Sequence, residues 1–424
     1  MKICVVNYRY FVSSGPERYL FALLPLLEAR GHEIVPFSVR YRQNEPSPWS
    51  RYFVSPIAGD DEIMFRQHTW SVTSIGRALG RAFSSREVYE AFSRELRDAR
   101  PDVAYVLKYE RKLSPSIFAA LRDQGVPIVV RLSDFNMVCP QQHLVRDGAI
   151  CELCVGRTTW PSVRYRCVQH SFGVSAVNAL GVEYARRRGL YDLVDRFVAP
   201  SEVMRQMMVR GGVPPARLQL LPTFVTAHPA RPRSQRRRRI CFIGRFEPIK
   251  GIEVLLDATE LLRRGGVGHD VEVVLAGDTS TPTGDAIRAR LRERPISGVT
   301  LAGQVDHAAV IELLQSSLAS IVPSLWYENL PNALLESVAC GTPVVASDLG
   351  SLRDILSGTG AGVLFSPGDA AGLAEAIRAA LTEPSGGQMA ERALAIARDR
   401  HDPERHVDAL LDLFEGVRAA YATS

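Results

Sequence analysis

The sequence predicts an α/β protein built from two parallel-sheet domains. Three observations carry that expectation. Short apolar strands alternate with amphipathic helices from the first residues onward. The alternation breaks once, at a stretch rich in Pro and Arg, and then restarts. At 424 residues the chain is also too long for one ordinary core. Strands that are apolar throughout, each followed by a helix, belong to parallel sheets covered on both faces.

The elements follow in order. Residues 2–7, KICVVN, read as the first strand. A loop with Ser14 and Gly15 comes next, then a helix that opens on Pro16 and stops before Gly31. The next strand is expected over 32–38, and two more, 102–107 and 127–132, flank a helix over 115–124. The rhythm returns with a strand at 239–243, a helix at 251–264, strands at 271–276 and around 320–323, a helix near 332–340 and a strand from Pro343. A last helix, about 403–420, follows long after the second series and is expected to pack back on the first domain. The resulting division is 1–221 for an N-terminal domain with a Cys-rich insertion at about 136–170, 222–238 for a linker, 239–402 for a C-terminal domain and 403–424 for the closing helix. The linker region reads PTFVTAHPARPRSQRRRR, which has no periodicity, and its arginines are expected to form a solvated connector.

Composition narrows the function classes. The chain is 46% hydrophobic and 23% charged, as in globular proteins, and its net charge of +5 suits anionic ligands or an anionic membrane surface. No apolar run approaches the roughly 18 residues of a membrane span. The first residues read as a strand and not as a signal peptide. The expected setting for the seven cysteines is therefore a reducing cytoplasm, with at most peripheral contact at the inner membrane face.

The segment 323–351, PSLWYENLPNALLESVACGTPVVASDLGS, holds the densest chemistry. Glu328 falls in a loop and Glu336 eight positions later inside a helix, with Pro331 between them and a helix stop at Gly341. A carboxylate accepts hydrogen bonds from sugar hydroxyls, and a helix N-terminus attracts anions. The pairing suits a nucleotide-sugar. Arg245 and Lys250 follow the 239–243 strand, at the carboxyl edge where ligands bind in open α/β sheets. Arg forks onto two phosphate oxygens and Lys supplies a compact charge. Gly244 permits a tight turn and Gly251 helps start the next helix. Gly15 allows backbone N–H groups to approach phosphate or acceptor, or is a plain turn residue. Taken singly the charged residues read as ordinary surface charges; their combination favours diphosphate binding. The chain has no Asp-x-Asp pair, so side-chain cations are expected to take the place of a catalytic metal at the leaving group.

These segments resemble the retaining glycosyltransferases of family 4, whose GT-B fold is two facing Rossmann-like domains. The resemblance runs over nearly the whole chain. It rests on the Gly15 loop with RGHEI after its helix, on FIGRFEPIKGIEVLL, on LAGQV at 301–305, and on the Glu328 segment. It implies that Glu328 contacts donor-sugar hydroxyls, that Glu336 contacts the ribose, and that the backbone of Asn329, Leu330 and Pro331 lies against sugar and phosphates. It implies that LAGQV, with Gly303 and Val305, holds the base. It further implies a nucleoside-diphosphate sugar donor, with a UDP-sugar favoured, and a hydroxyl acceptor in glycan, glycolipid or metabolite synthesis. Retention would proceed by front-face attack, in which the leaving phosphate helps deprotonate the acceptor; Glu328 then positions and does not attack. Many members carry a histidine after the strand that is 127–132 here. This chain reads VVRLSDFNMVCP, which puts Ser133 there, before Asp134, and leaves Ser133, Asp134 or Arg131 as candidates to position sugar or acceptor.

A second cluster comprises Cys139, Cys151, Cys154 and Cys167, with His143 and His170 as substitute ligands. One Cys-x-x-Cys with two flanking cysteines suits a structural zinc, against free thiols or a redox pair. It is similar to a cysteine-bearing insertion of some family 4 members and is expected to shape the acceptor side. Cys4, Cys241 and Cys340 read as small core residues. Phe11, Trp49, Tyr52, Phe53 and Trp70 make the N-terminal half aromatic-rich, near an acceptor or in the core. Two other classes stand beside the transferase: a nucleotide-sugar binder without turnover, and a zinc-stabilised nucleic-acid binder. The basic run lacks an aromatic stacking array, so no nucleic acid partner is expected. A dehydrogenase is disfavoured because no strand is followed by G-x-G-x-x-G.

Overall fold

The computed structural model describes residues 1–59, 72–266, 269–382 and 385–422. Trp70 lies outside them. Two six-stranded parallel sheets form the frame. The first contains β1 (Lys2–Asn7), β2 (Glu33–Phe37), β3 (Val103–Lys108), β4 (Ile128–Arg131), β7 (Arg196–Ala199) and β8 (Leu218–Leu220), in the order β2-β1-β3-β4-β7-β8. Between β4 and β7 the chain makes a ribbon of two short antiparallel strands, β5 (Val145–Arg146) and β6 (Ala149–Ile150). The second sheet contains β9 (Arg239–Ile243), β10 (Glu272–Ala276), β11 (Val299–Gly303), β12 (Ala319–Val322), β13 (Val344–Ser347) and β14 (Gly362–Phe365), in the order β11-β10-β9-β12-β13-β14.

Alternation of side chains across a strand explains the layering. Cys4, Val6, Ala104, Val106, Ile128 and Val130 face one core of the first sheet. Their neighbours Ile3, Val5, Val103, Tyr105 and Val129 face the other, against Leu20 and Leu23 of the helix Gly15–Ala29. Val407, Leu410, Phe414 and Val417 of the terminal helix Pro403–Ala422 complete that second core. In the second sheet Ile240, Phe242, Val273 and Leu275 pack on the helix Ile252–Arg264, while Cys241, Val274 and Ala276 turn the other way. Cys4, Cys241 and Cys340 are buried in these layers.

Both strand orders reverse direction once. In the second sheet β9 leads to β10 on one side and lies against β12 on the other; in the first, the reversal falls between β1 and β3. At such a point the connections after two neighbouring strands leave towards opposite faces, and a crevice opens at their carboxyl ends. The loops after β1, β3, β9 and β12 carry Gly15, Glu110, Arg245 and Glu328.

The arginine run departs from the expected solvated connector. Arg236 is 8% exposed, and its guanidinium donates to the carbonyls of Arg231 (3.0 Å), Ser317 (3.1 Å) and Gly341 (2.9 Å) and to the Thr342 hydroxyl (3.2 Å). Arg238 pairs with Asp270 (2.5 Å) and Arg239 with Glu272 (2.6 Å). The stretch is therefore folded onto the second sheet. Its earlier part is also held: the His401 ring is 2.7 Å from the Thr223 carbonyl, and the Val225 N–H donates to the His401 carbonyl. No helix among the described residues is long and apolar enough to cross a membrane.

Candidate active site

The turn after β12 is built by close approach. Gly251 sits at φ +71°, and a Cβ there would stand 1.9 Å from the Pro323 carbonyl oxygen, so only glycine lets the helix Ile252–Arg264 begin against this loop. The Leu325 N–H donates to the Ile249 carbonyl at 2.8 Å. These contacts bring Lys250 over the loop. Its ammonium lies 2.6 Å from Glu328 Oε1 and 5.3 Å from the centre of the Trp326 ring. The Ser324 hydroxyl donates to the same Glu328 oxygen at 2.7 Å, and the Ser351 hydroxyl donates to the Glu328 carbonyl at 2.9 Å. Glu328 is 5% exposed. Burial works to raise its pKa, but the Lys250 charge and the Lys250 and Ser324 hydrogen bonds outweigh it and hold the carboxyl below its ordinary value. The group stays ionised.

Glu336 lies in the helix Asn332–Ala339, capped by Pro331. Arg18 reaches it from the first helix at 3.3 Å, and His307 Nε2 stands 3.3 Å away. Burial raises its pKa against the opposing pull of Arg18 and of the hydrogen bond from His307. The N-terminus of the first helix thus faces that of Asn332–Ala339. A Cβ on Gly15 would come 3.8 Å from the Asn332 amide, so its absence leaves room between the two helix starts. Glu17, buried beside them, accepts from the Ser14 N–H at 3.1 Å in a capping box. Asn329 joins the halves: its amide donates to the Leu132 carbonyl at 3.0 Å. Leu330 packs on the core beneath the helix.

Other candidates lie elsewhere or are engaged. Arg245 is exposed and pairs with Glu247 at 2.9 Å, not with Glu328. Gly244 closes the β9 turn by donating to the Ala276 carbonyl at 3.0 Å. Gly303 ends β11, where its carbonyl accepts from the Gly277 N–H at 2.8 Å, and Val305 packs nearby on the core. The Ser133 hydroxyl donates to the Leu107 carbonyl at 2.9 Å, a bond within the first sheet's edge. Asp134 is half-buried in an ion pair with Lys108 and accepts from the Asn136 N–H at 2.8 Å. Its pKa is lowered: burial opposes ionisation, but Lys108 prevails. Glu110 beside it is pushed up by burial and by Asp134. Arg131 is 5% exposed, lies 4.0 Å over the Tyr19 ring and donates to Thr223, which makes it a core group.

Several neighbours escaped sequence reasoning. Arg18 carries no local signal beyond its place in the first turn after Gly15. Tyr327 donates to Glu152 at 2.9 Å, and the His143 ring packs edge-on to Trp326 with centroids 4.8 Å apart. The Cys-bearing segment therefore walls the Glu328 loop. The four cysteines line one cavity, whereas His170 is not among its lining residues.

Comparison with known proteins agrees with this architecture. Residues 14–223 match the family described as glycosyl transferase 4-like domain, and residues 237–383 match glycosyl transferases group 1. A glycogen synthase of Mycobacterium tuberculosis is 32% identical over 154 residues, which are 36% of this chain and 36% of that protein. The chain thus matches little more than a third of that relative's length. Sucrose-phosphate synthase from Thermosynechococcus elongatus superposes with a TM-score of 0.70 over 99% of both chains at 18% identity. Anabaena HepE in complex with UDP and glucose gives 0.64 over 98% of this chain and 99% of that one, at 16% identity. These likenesses show the GT-B fold.

Proposed function

This chain belongs to glycosyltransferase family 4, and we propose that it transfers a sugar from a nucleoside diphosphate, UDP being favoured, to a hydroxyl acceptor with retention at the anomeric carbon. The observation that carries the reading is the ion pair of half-buried Lys250 with buried Glu328 at the reversal point of the second sheet, with the Arg18–Glu336 pair eight residues along the same segment. One carboxylate meets the donor sugar and the other the ribose. Lys250, with Arg245 on the loop after β9, supplies positive charge where the diphosphate leaves. The two facing helix starts add backbone N–H groups to that charge. Glu328 already accepts from a cation and a hydroxyl, which suits positioning and not attack. The choice of UDP is supported by the UDP bound in the HepE complex. Arg236 is engaged inside the protein, and Arg238 and Arg239 are paired with Asp270 and Glu272, which reduces the basic surface that a nucleic-acid reading would use.

The test is nucleotide release from UDP-, GDP-, dTDP- and ADP-sugars with EDTA present and Glu328→Gln as the control. Release from one donor, lost in the variant, supports the reading. A donor that binds, with turnover equal in the variant and the wild type, overturns the assignment of Glu328.

A further inference from the structure

The insertion between β4 and β7 contains a cluster that sugar transfer does not use. Cys139, the Cys151–Cys154 turn and Cys167 are separate in sequence, yet all four cysteines line one cavity of about 20 Å³ with Gln141 and Pro161. All four are free thiols. The Gln142 N–H donates to the Cys139 carbonyl at 2.8 Å, and the Cys151 N–H to the Leu144 carbonyl at 2.8 Å. A space of this size takes a single ion or water and excludes an organic ligand.

The backbone around the cavity has little regular structure. Regular structure here amounts to the two-residue strands β5 and β6 and the five-residue helix Trp160–Arg164. Gln142, Leu144, Asp147, Arg166, Gln169 and His170 all adopt positive φ. Each such residue is strained unless its surroundings hold it. Among the described residues no three His, Cys, Asp or Glu side chains are already gathered as a ligand set. Ligation therefore requires the four side chains to close on the cavity they line.

We propose that the four thiolates bind one zinc-class divalent cation, and that this knuckle fixes the wall against which the Glu328 loop rests. Binding makes four metal–sulfur bonds and releases the thiol protons to solvent. The site itself is independent of the sugar-transfer reading. Its mechanical link is short. Glu152, inside the Cys151–Cys154 turn, accepts from Tyr327 and pairs with Arg210 at 2.7 Å. His143, four residues after Cys139, packs on Trp326. Trp326 and Tyr327 directly precede Glu328.

The experiment uses the purified full chain, stripped of metal and titrated with Co²⁺. Thiolate-to-cobalt charge transfer with tetrahedral d–d bands, saturating at roughly one ion per chain, is expected. Zn²⁺ should displace the signal. Cys154→Ser should weaken binding at least about tenfold, since it removes one of four ligands, while Cys340→Ala binds as the wild type does. Absence of the charge-transfer band in the wild type overturns the site whether or not the variants fold. Hydrogen exchange then tests the link. Backbone amides of 323–331 should exchange more slowly in the zinc-loaded protein than in the stripped protein, and equal rates refute the coupling. Neither readout depends on donor turnover, so failure of the transferase reading would leave both results interpretable.

Discussion

Replacing Lys250 by alanine should strand a buried carboxylate, and the consequence can be worked out from the geometry. Glu328 is 5% exposed, and Lys250 at 2.6 Å is its cationic partner. Removing one member of such a pair costs about 3–5 kcal/mol. The Ser324 hydroxyl, 2.7 Å from the same oxygen, survives the substitution, which places the expected loss near the lower end, about 3 kcal/mol. Glu328→Gln removes the charge instead and leaves Lys250 with partial access to water, so its cost is about 1–2 kcal/mol. The double variant Lys250→Ala/Glu328→Gln should fall short of the sum by about 1.5 kcal/mol or more.

The pH dependence separates this from a plain packing defect. In the wild type the Glu328 pKa is depressed, so the pair's contribution is present above the ordinary carboxylate range and lost as pH falls through the folded value. In Lys250→Ala burial acts with its main opponent gone and the Ser324 hydrogen bond left against it. The carboxyl pKa then rises above its ordinary value, and protonation relieves the penalty. The deficit of the variant relative to wild type should therefore shrink between about pH 8 and about pH 5. Urea unfolding followed by circular dichroism at both pH values measures it. A deficit that is the same at both, or singles that add within about 0.5 kcal/mol, would refute the electrostatic account.

Three further predictions concern other parts of the molecule. Gly251→Ala drives a methyl into the Pro323 carbonyl at 1.9 Å and forces φ +71° on alanine, so it should lower the melting temperature sharply and impair turnover together, at a cost of at least about 2 kcal/mol. Arg245→Ala removes a side chain that is 63% exposed, so the melting temperature should hold within the effect of about 0.5 kcal/mol while kcat/KM falls roughly a hundredfold; wild-type kinetics would remove Arg245 from the site. His406 has Nδ1 2.7 Å from the Pro222 carbonyl and Nε2 2.9 Å from the Tyr19 hydroxyl, and burial pushes its pKa down to about 4. With the folded value depressed, its contribution is complete above about pH 6.5 and is lost as pH falls towards about 4, by at most about 3 kcal/mol; unfolding curves of His406→Gln and wild type should converge over that window.

The strands were legible because a sheet covered on both faces needs an unbroken apolar run, and β1 and β9 follow their runs from first residue to last. The short β8 was not, since its residues are half-exposed or exposed and carry no such signal. The Glu328 segment was legible because its spacing around Pro331 and Gly341 is local. Its partners were not: Arg18 is 318 positions from Glu336, and Glu152 is 175 from Tyr327. The arginines at 236–239 misled for the same reason. A charge run reads as solvated unless the chain supplies carbonyls and carboxylates for it, and here Ser317, Gly341, Asp270 and Glu272 do so from distant elements. Ser133 stood at the position where a functional group was expected, but only the coordinates show its hydroxyl spent on Leu107.

Two kinds of join connect the sheets, and their energies differ. The terminal helix buries Val407, Leu410, Phe414 and Val417 against the first sheet, each worth about 1.5–3 kcal/mol. The site side is joined by Arg18–Glu336, Asn329 to the Leu132 carbonyl, Tyr327–Glu152, and the Val203 N–H to Asp354 at 3.2 Å. Arg18 is 46% exposed, and partly solvated polar pairs of this kind each contribute about 0–1 kcal/mol. The apolar join therefore holds when the polar one yields. A donor needs to enter the crevice and a nucleoside diphosphate to leave it, and a face closed by weak polar contacts permits both without breaking the contact of His401 with the Thr223 carbonyl. Amides of 323–331 should accordingly exchange faster than those of 407–417 in the ligand-free protein. The reverse order would mean that the crevice is a fixed slot and that ligands enter without parting the two sheets.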